Sequence, residues 1–198
     1  WEAVTNVDFI PTASDRASLR IAYGELPANW LAVTHVQFTG NGSLTRAEIW
    51  FNDRYAYMAD LRPGTFAFFV AIHEIGHALG LGHPFEGANR LSTDFDHAGY
   101  TVMSYTRHPG VGKDATGLPL APATPMLYDI AAVQYLYGPN RQHARGDDVY
   151  RFEDGLAPVR TLWDSGGIDT IDVRSQLLPV TIDLREGAAS SIGRRGVG

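Results

Sequence analysis

The run His73-Glu74-Ile75-Gly76-His77-Ala78-Leu79-Gly80-Leu81-Gly82-His83 constrains this chain more than any other stretch. It closes a helical pattern. Phe68, Ile72, Ile75 and Leu79 recur as one apolar stripe, no Pro interrupts Thr65 to Leu79, and Gly76 is the one Gly there. Thr65, after Pro63-Gly64, is the expected N-cap, and Gly80 and Gly82 stop the helix. On such a helix His73 and His77 are offset by about 40° and stand one turn apart, so both imidazoles reach one ion. Glu74 lies roughly 60° from His77 and can touch a metal-bound water without binding the metal. Gly80 at positive φ lets the chain double back and bring His83 to a third position. Three neutral imidazoles with an open fourth position make a catalytic zinc site, not a closed structural one. The bland alternative is three unrelated histidines on a core helix. Three His, one Glu and one Gly at five fixed positions arise by chance on the order of once in ten million starts.

Composition narrows the rest. Cysteine is absent from the 198 residues, so disulfides, thiolate metal sites and a cysteine nucleophile are excluded. The net charge of −6 argues against a nucleic-acid partner. The longest apolar run, Thr65 to Ile72, is far too short to span a membrane. Residues from Trp1 on lack the basic and apolar regions of a signal peptide.

Along the chain, residues 1–5 read as the last turn of a helix. Val7 to Ile10, Leu19 to Tyr23, Val33 to Phe38 and Ala47 to Phe51 read as strands, with a turn cluster at 39–43. Leu81 to Pro125 is one long loop, and a loop that long inside a compact domain is usually functional. Met126 to Tyr137 returns to helical period and ends at Gly138-Pro139-Asn140. Beyond it, Val149 to Phe152, Thr161 to Trp163, Ile168 to Val173 and Val180 to Leu184 read as short β runs between Gly/Asp turns. A boundary near 139–146 divides the chain into 1–139 and 140–198.

The motif HExxHxxGxxH, with Thr101-Val102-Met103-Ser104-Tyr105 downstream as a Met-turn, resembles the metzincin zinc peptidases. Pro84 after the third histidine, the Met-Ser-Tyr triplet, Asp129 to Gly138 and Trp163 to Thr170 resemble the serralysin branch. The resemblance implies a mixed α/β (α+β), zincin-like catalytic domain with a twisted mixed sheet and an active-site helix. A short all-β, β-roll-like calcium-binding segment follows from residue 140. It implies a secreted, extracellular zinc endopeptidase with His73, His77 and His83 on zinc and Glu74 as general base for a zinc-activated water. Tyr105 becomes a fifth zinc ligand that swings to the oxyanion, and Met103 packs under the histidines without ligating. Ala47 to Phe51 becomes the edge strand beside the cleft, where main-chain pairing gives broad specificity.

The same resemblance assigns one or more calcium ions to the carbonyls of Ala144, Gly146 and Gly166 and the carboxylates of Asp148, Asp164 and Asp169. Six oxygens suit that ion, although an Asp/Gly turn without an ion is common. His97 reads as a solvated loop residue beside the cleft, and His35, His108 and His143 have no metal-like spacing. The family's first helix and strand are not found before Trp1, nor its long glycine-rich repeats and C-terminal secretion signal. The expected partners are a protein or peptide substrate, with a protein inhibitor or a separate N-terminal segment as further candidates, on an otherwise monomeric chain. Two rival readings are a non-catalytic, calcium-dependent protein-binding module with a relic zinc site, and a metzincin of another family.

Overall fold

The computed structural model describes residues 1–40, 44–109, 121–153 and 159–193. Strands β1 (Leu19–Gly24), β2 (Ala32–Phe38) and β3 (Leu44–Asn52) form a mixed sheet in the order β1-β3-β2. β1 runs parallel to β3, and β2 runs antiparallel to it with an irregularity between Gln37 and Phe38. The period of two along β3 turns Ala47, Ile49 and Phe51 inward, all buried, and Arg46, Glu48 and Trp50 to the other face. β3 is therefore the centre of this sheet, and β2 is its edge on the cleft side. This corrects the expectation that Ala47 to Phe51 forms the edge. Burial on one face gives central and edge strands the same sequence pattern, so the pattern could not separate them.

Helix α1 (Phe66–Ala78) starts where expected: the Thr65 hydroxyl accepts the Phe68 N–H at 3.2 Å. It ends in a Schellman turn. Gly80 takes φ +93°, its N–H donates to His77 O at 2.9 Å, and the Leu81 N–H donates to Gly76 O at 3.0 Å. The helix buries two faces, not one stripe. Ala67, Val70 and Ala78 pack with Ala47, Ile49, Phe51 and Met58 of the sheet side. Leu79 packs with Val4, Ile130 and Val133, and Ile72 with Val102, Met103 and Met126. Held on both flanks, α1 keeps a third face for its histidines.

Helix α2 (Leu127–Tyr137) lies behind α1 and stops at Gly138. Parallel strands β4 (Val149–Arg151) and β5 (Thr170–Asp172) follow, then antiparallel β6 (Val180–Thr181) and β7 (Ser191–Ile192). Two expected strands are extended coil. In Val7 to Ile10, the Phe9 N–H bonds the Glu2 carboxylate at 2.7 Å, while Val7 and Phe9 pack beside Val4. In Thr161 to Trp163, the Thr161 N–H goes to Thr124 Oγ1 at 2.8 Å and the Trp163 indole N–H to Asn140 O at 3.1 Å. Side chains and loop carbonyls took the groups that a ladder would have used. β5 starts late because the Ile168 N–H is held by Asp147 at 2.8 Å. Part of the turn cluster at 39–43 and part of the loop at 81–125 lie outside the described residues. No described helix is long and apolar enough to cross a membrane.

Candidate metal centre

The helix and the turn after it bring the three histidines together. His77 Nε2 stands 3.1 Å from His73 Nε2 and 3.0 Å from His83 Nε2. Each opposite nitrogen has an oxygen partner. His73 Nδ1 lies 2.8 Å from Val102 O, His77 Nδ1 2.9 Å from Leu81 O, and His83 Nδ1 3.0 Å from Glu86 Oε1. A carbonyl only accepts, so these contacts place the proton on Nδ1 and leave lone pairs on the Nε2 atoms. Three converging lone pairs at such separations have no hydrogen to share. They suit a cation between them, and an all-imidazole set with this outer shell fits zinc. Burial helps: it pushes the His73 pKa down to about 4 and lowers that of His77, keeping both neutral.

Glu74 is buried beside them, and desolvation raises its pKa while a hydrogen bond from Thr34 opposes the rise. Thr34 Oγ1 lies 2.5 Å from Glu74 Oε2. Tyr105 is exposed, its ring centroid 4.7 Å from that of His83 and 5.7 Å from that of His73, and partial desolvation, then the Glu74 and Glu86 charges, raise its pKa. Phe85 stacks on His83 at 4.9 Å and meets Tyr105 at 5.1 Å. Met103 sits under α1: a Cβ on Gly76 would stand 2.5 Å from its Sδ, so glycine permits the approach. A cleft of about 900 Å³ opens over the histidines. β2 walls it with Thr34, Val36 and Phe38, and α1 with Phe66 and Phe69.

Asp129 fixes the floor. It is 2% exposed and accepts from Thr101 Oγ1 at 2.6 Å, Val102 N at 2.7 Å and Met126 N at 2.8 Å. Desolvation raises its pKa to about 6 against those three bonds. Val102 in turn offers its carbonyl to His73, so one buried carboxylate ties α2 to the histidine cluster. Thr34, Glu86 and Asp129 were not singled out by sequence. Glu86, three residues after His83, carries a readable spacing; Thr34 carries none. Of the other histidines, His108 lines the cleft and His97 does not.

A second cluster joins the turns at 144–148 and 164–169. Carboxylate oxygens of Asp148, Asp164 and Asp169 lie within 4.8 Å of one another. Asp164 is held by the Tyr150 hydroxyl at 2.6 Å and the Gly166 N–H at 2.8 Å, and the Tyr150 bond leads in lowering its pKa. The Asp148 N–H donates to Asp169 at 2.9 Å, and the Ala144 carbonyl accepts from Ser165 N–H at 3.2 Å. Gly146 lies exposed in the same turn.

The Matrixin family pattern matches residues 1–92, and a Met-zincin family pattern matches 64–150. Serralysin of Proteus mirabilis is 38% identical over 168 residues, covering 74% of this chain and 34% of its own length. Serralysin of Photorhabdus luminescens is 27% identical over 217 residues, covering 98% of this chain and 44% of its own. Metalloprotease AprA of Pseudomonas entomophila is 31% identical over 219 residues, covering 98% and 45%. The chain thus spans between a third and a half of the length of these curated relatives. Both family patterns overlap on residues 64–92, which hold the three histidines, and the chain belongs to the serralysin-type metzincins.

Proposed function

We infer that the chain is the zinc-dependent endopeptidase part of a secreted protein, cutting peptide bonds in protein substrates. The observation that carries this is the convergence of three Nε2 lone pairs beside a buried carboxylate in an open cleft. His73, His77 and His83 would hold zinc, which supplies Lewis acidity toward water and the scissile carbonyl. Glu74 takes a proton from the attacking water as its oxygen bonds the carbonyl carbon. The same carboxyl returns the proton to the amine nitrogen as the C–N bond breaks. Tyr105 offers its phenol at the histidine side of the cleft, as a resting ligand and then as a donor to the oxyanion. Met103 gives the histidines a packed floor. The outer edge of β2 pairs with an extended substrate, and main-chain pairing implies broad specificity.

Residues 140–198 form the start of a calcium-binding β-roll-like part, distinct from 1–139. Asp148, Asp164 and Asp169, with the carbonyls of Ala144, Gly146 and Gly166, would hold calcium. The test of the whole reading is cleavage of casein with and without a chelator, restored by added zinc. A binding module with a relic site would leave casein intact in both arms.

A further inference from the structure

The carboxylate of Glu74 is held from the sheet. Glu74 is 6% exposed, and the hydroxyl of Thr34 on β2 lies 2.5 Å from its Oε2 and 3.1 Å from its main-chain oxygen. A hydroxyl has one proton to give, and the nearer, charged acceptor takes it. Among the described residues no other donor to that carboxylate is found. The bond turns Oε2 toward the strand and leaves Oε1 as the oxygen with free lone pairs.

Glutamate on a helix has three side-chain torsions, and burial alone does not fix the last of them. Thr34 is also part of the strand whose outer edge, on the cleft side, pairs with no other strand among the described residues. The strand that would receive substrate and the group that would receive its proton are therefore joined by one hydrogen bond.

We propose that Thr34 is a positioning residue for Glu74, setting which carboxylate oxygen accepts the proton and aligning it with a substrate on β2. This rests on the reading of Glu74 as general base. A purely structural role, tying β2 to α1, makes a different prediction, because any residue that restores packing would then serve.

The test uses the full-length, zinc-loaded protein and a quenched-fluorescent peptide, with zinc per chain and melting measured on each variant. Thr34→Val keeps the shape and removes the hydroxyl. It should keep its zinc and lose about 10- to 100-fold in kcat, the range for a hydrogen bond to a charged group. KM should move less than about threefold, since the bond serves the transition state. Thr34→Ser should restore most of kcat. If Thr34→Val fails to fold, Thr34→Ala compared with Thr34→Ser gives the same contrast. An unchanged kcat in the hydroxyl-free variant, a rise in KM alone, or no rescue by serine would overturn the proposal. Glu74→Gln separates the two levels. If it is inactive while Thr34→Val works at the parental rate, only the role of Thr34 fails. If Glu74→Gln itself turns over normally, the general-base reading fails and takes this inference with it.

Discussion

The three clustered histidines have their tautomers fixed by two kinds of partner. His73 and His77 donate to main-chain carbonyls inside the fold. His83 donates to Glu86, whose side chain is 63% exposed. That carboxylate is the least sheltered part of the outer shell. Glu86→Ala should lower zinc affinity by about 10- to 100-fold, as outer-shell losses do elsewhere. Competition against a chelator of known affinity measures it; an unchanged affinity would mean that Phe85, stacked on the ring, suffices to aim His83. The cluster of the three histidines was legible because helical geometry converts spacing into direction. Thr34 reaches Glu74 from a segment 40 residues away, whereas Glu86 lies three residues after His83. Nothing in a strand residue such as Thr34 announces which helix its hydroxyl will meet.

The helices were legible where caps and period agreed, as at Thr65 and Gly80. The three strands of the main sheet were legible as strands but not by place, because β3 and β2 differ in neighbours and not in pattern, while Val7 to Ile10 and Thr161 to Trp163 formed no strand. The floor under α1 depends on Asp129, at the start of α2. Asp129→Ala would leave three buried donors without an acceptor and should destabilise the fold by about 3 kcal/mol or more. Its folded pKa of about 6 lies above the ordinary 3.8, so the native state binds this proton more tightly than the unfolded chain. Stability from this group is therefore full below the unfolded value and falls as pH rises from 3.8 to about 6. Asp129→Asn, which keeps an acceptor and cannot titrate, should flatten that slope in melting curves taken across the interval. A slope unchanged in the variant would assign the pH dependence to other groups.

Residues beyond 139 meet the rest of the described chain through Trp163 and Val159, which pack on the clusters behind α1, and through Ala123 N–H to Val159 O at 2.8 Å. Loosening residues 140–198 should thus reach the helix that carries the histidines. Three carboxylates within 4.8 Å repel one another unless a cation sits among them. Calcium at a hundred times its Kd should add about 2.7 kcal/mol if it binds only the folded state. With zinc held saturating, the melting midpoint should climb as free calcium rises, and Asp164→Ala should abolish the climb. A midpoint indifferent to calcium would leave the 164–169 turn as a turn alone. The central claim is a zinc peptidase with Glu74 as its base, and one titration tests it most directly. Peptide cleavage is followed as zinc is added back to the metal-free protein, for the parent and for Glu74→Gln. The account predicts that parental activity rises to a plateau at one zinc per chain. Glu74→Gln should bind the same zinc and lose at least about 10²- to 10⁴-fold in rate. Cleavage by the parent that ignores zinc, or a Glu74→Gln protein that cuts at the parental rate, would contradict it.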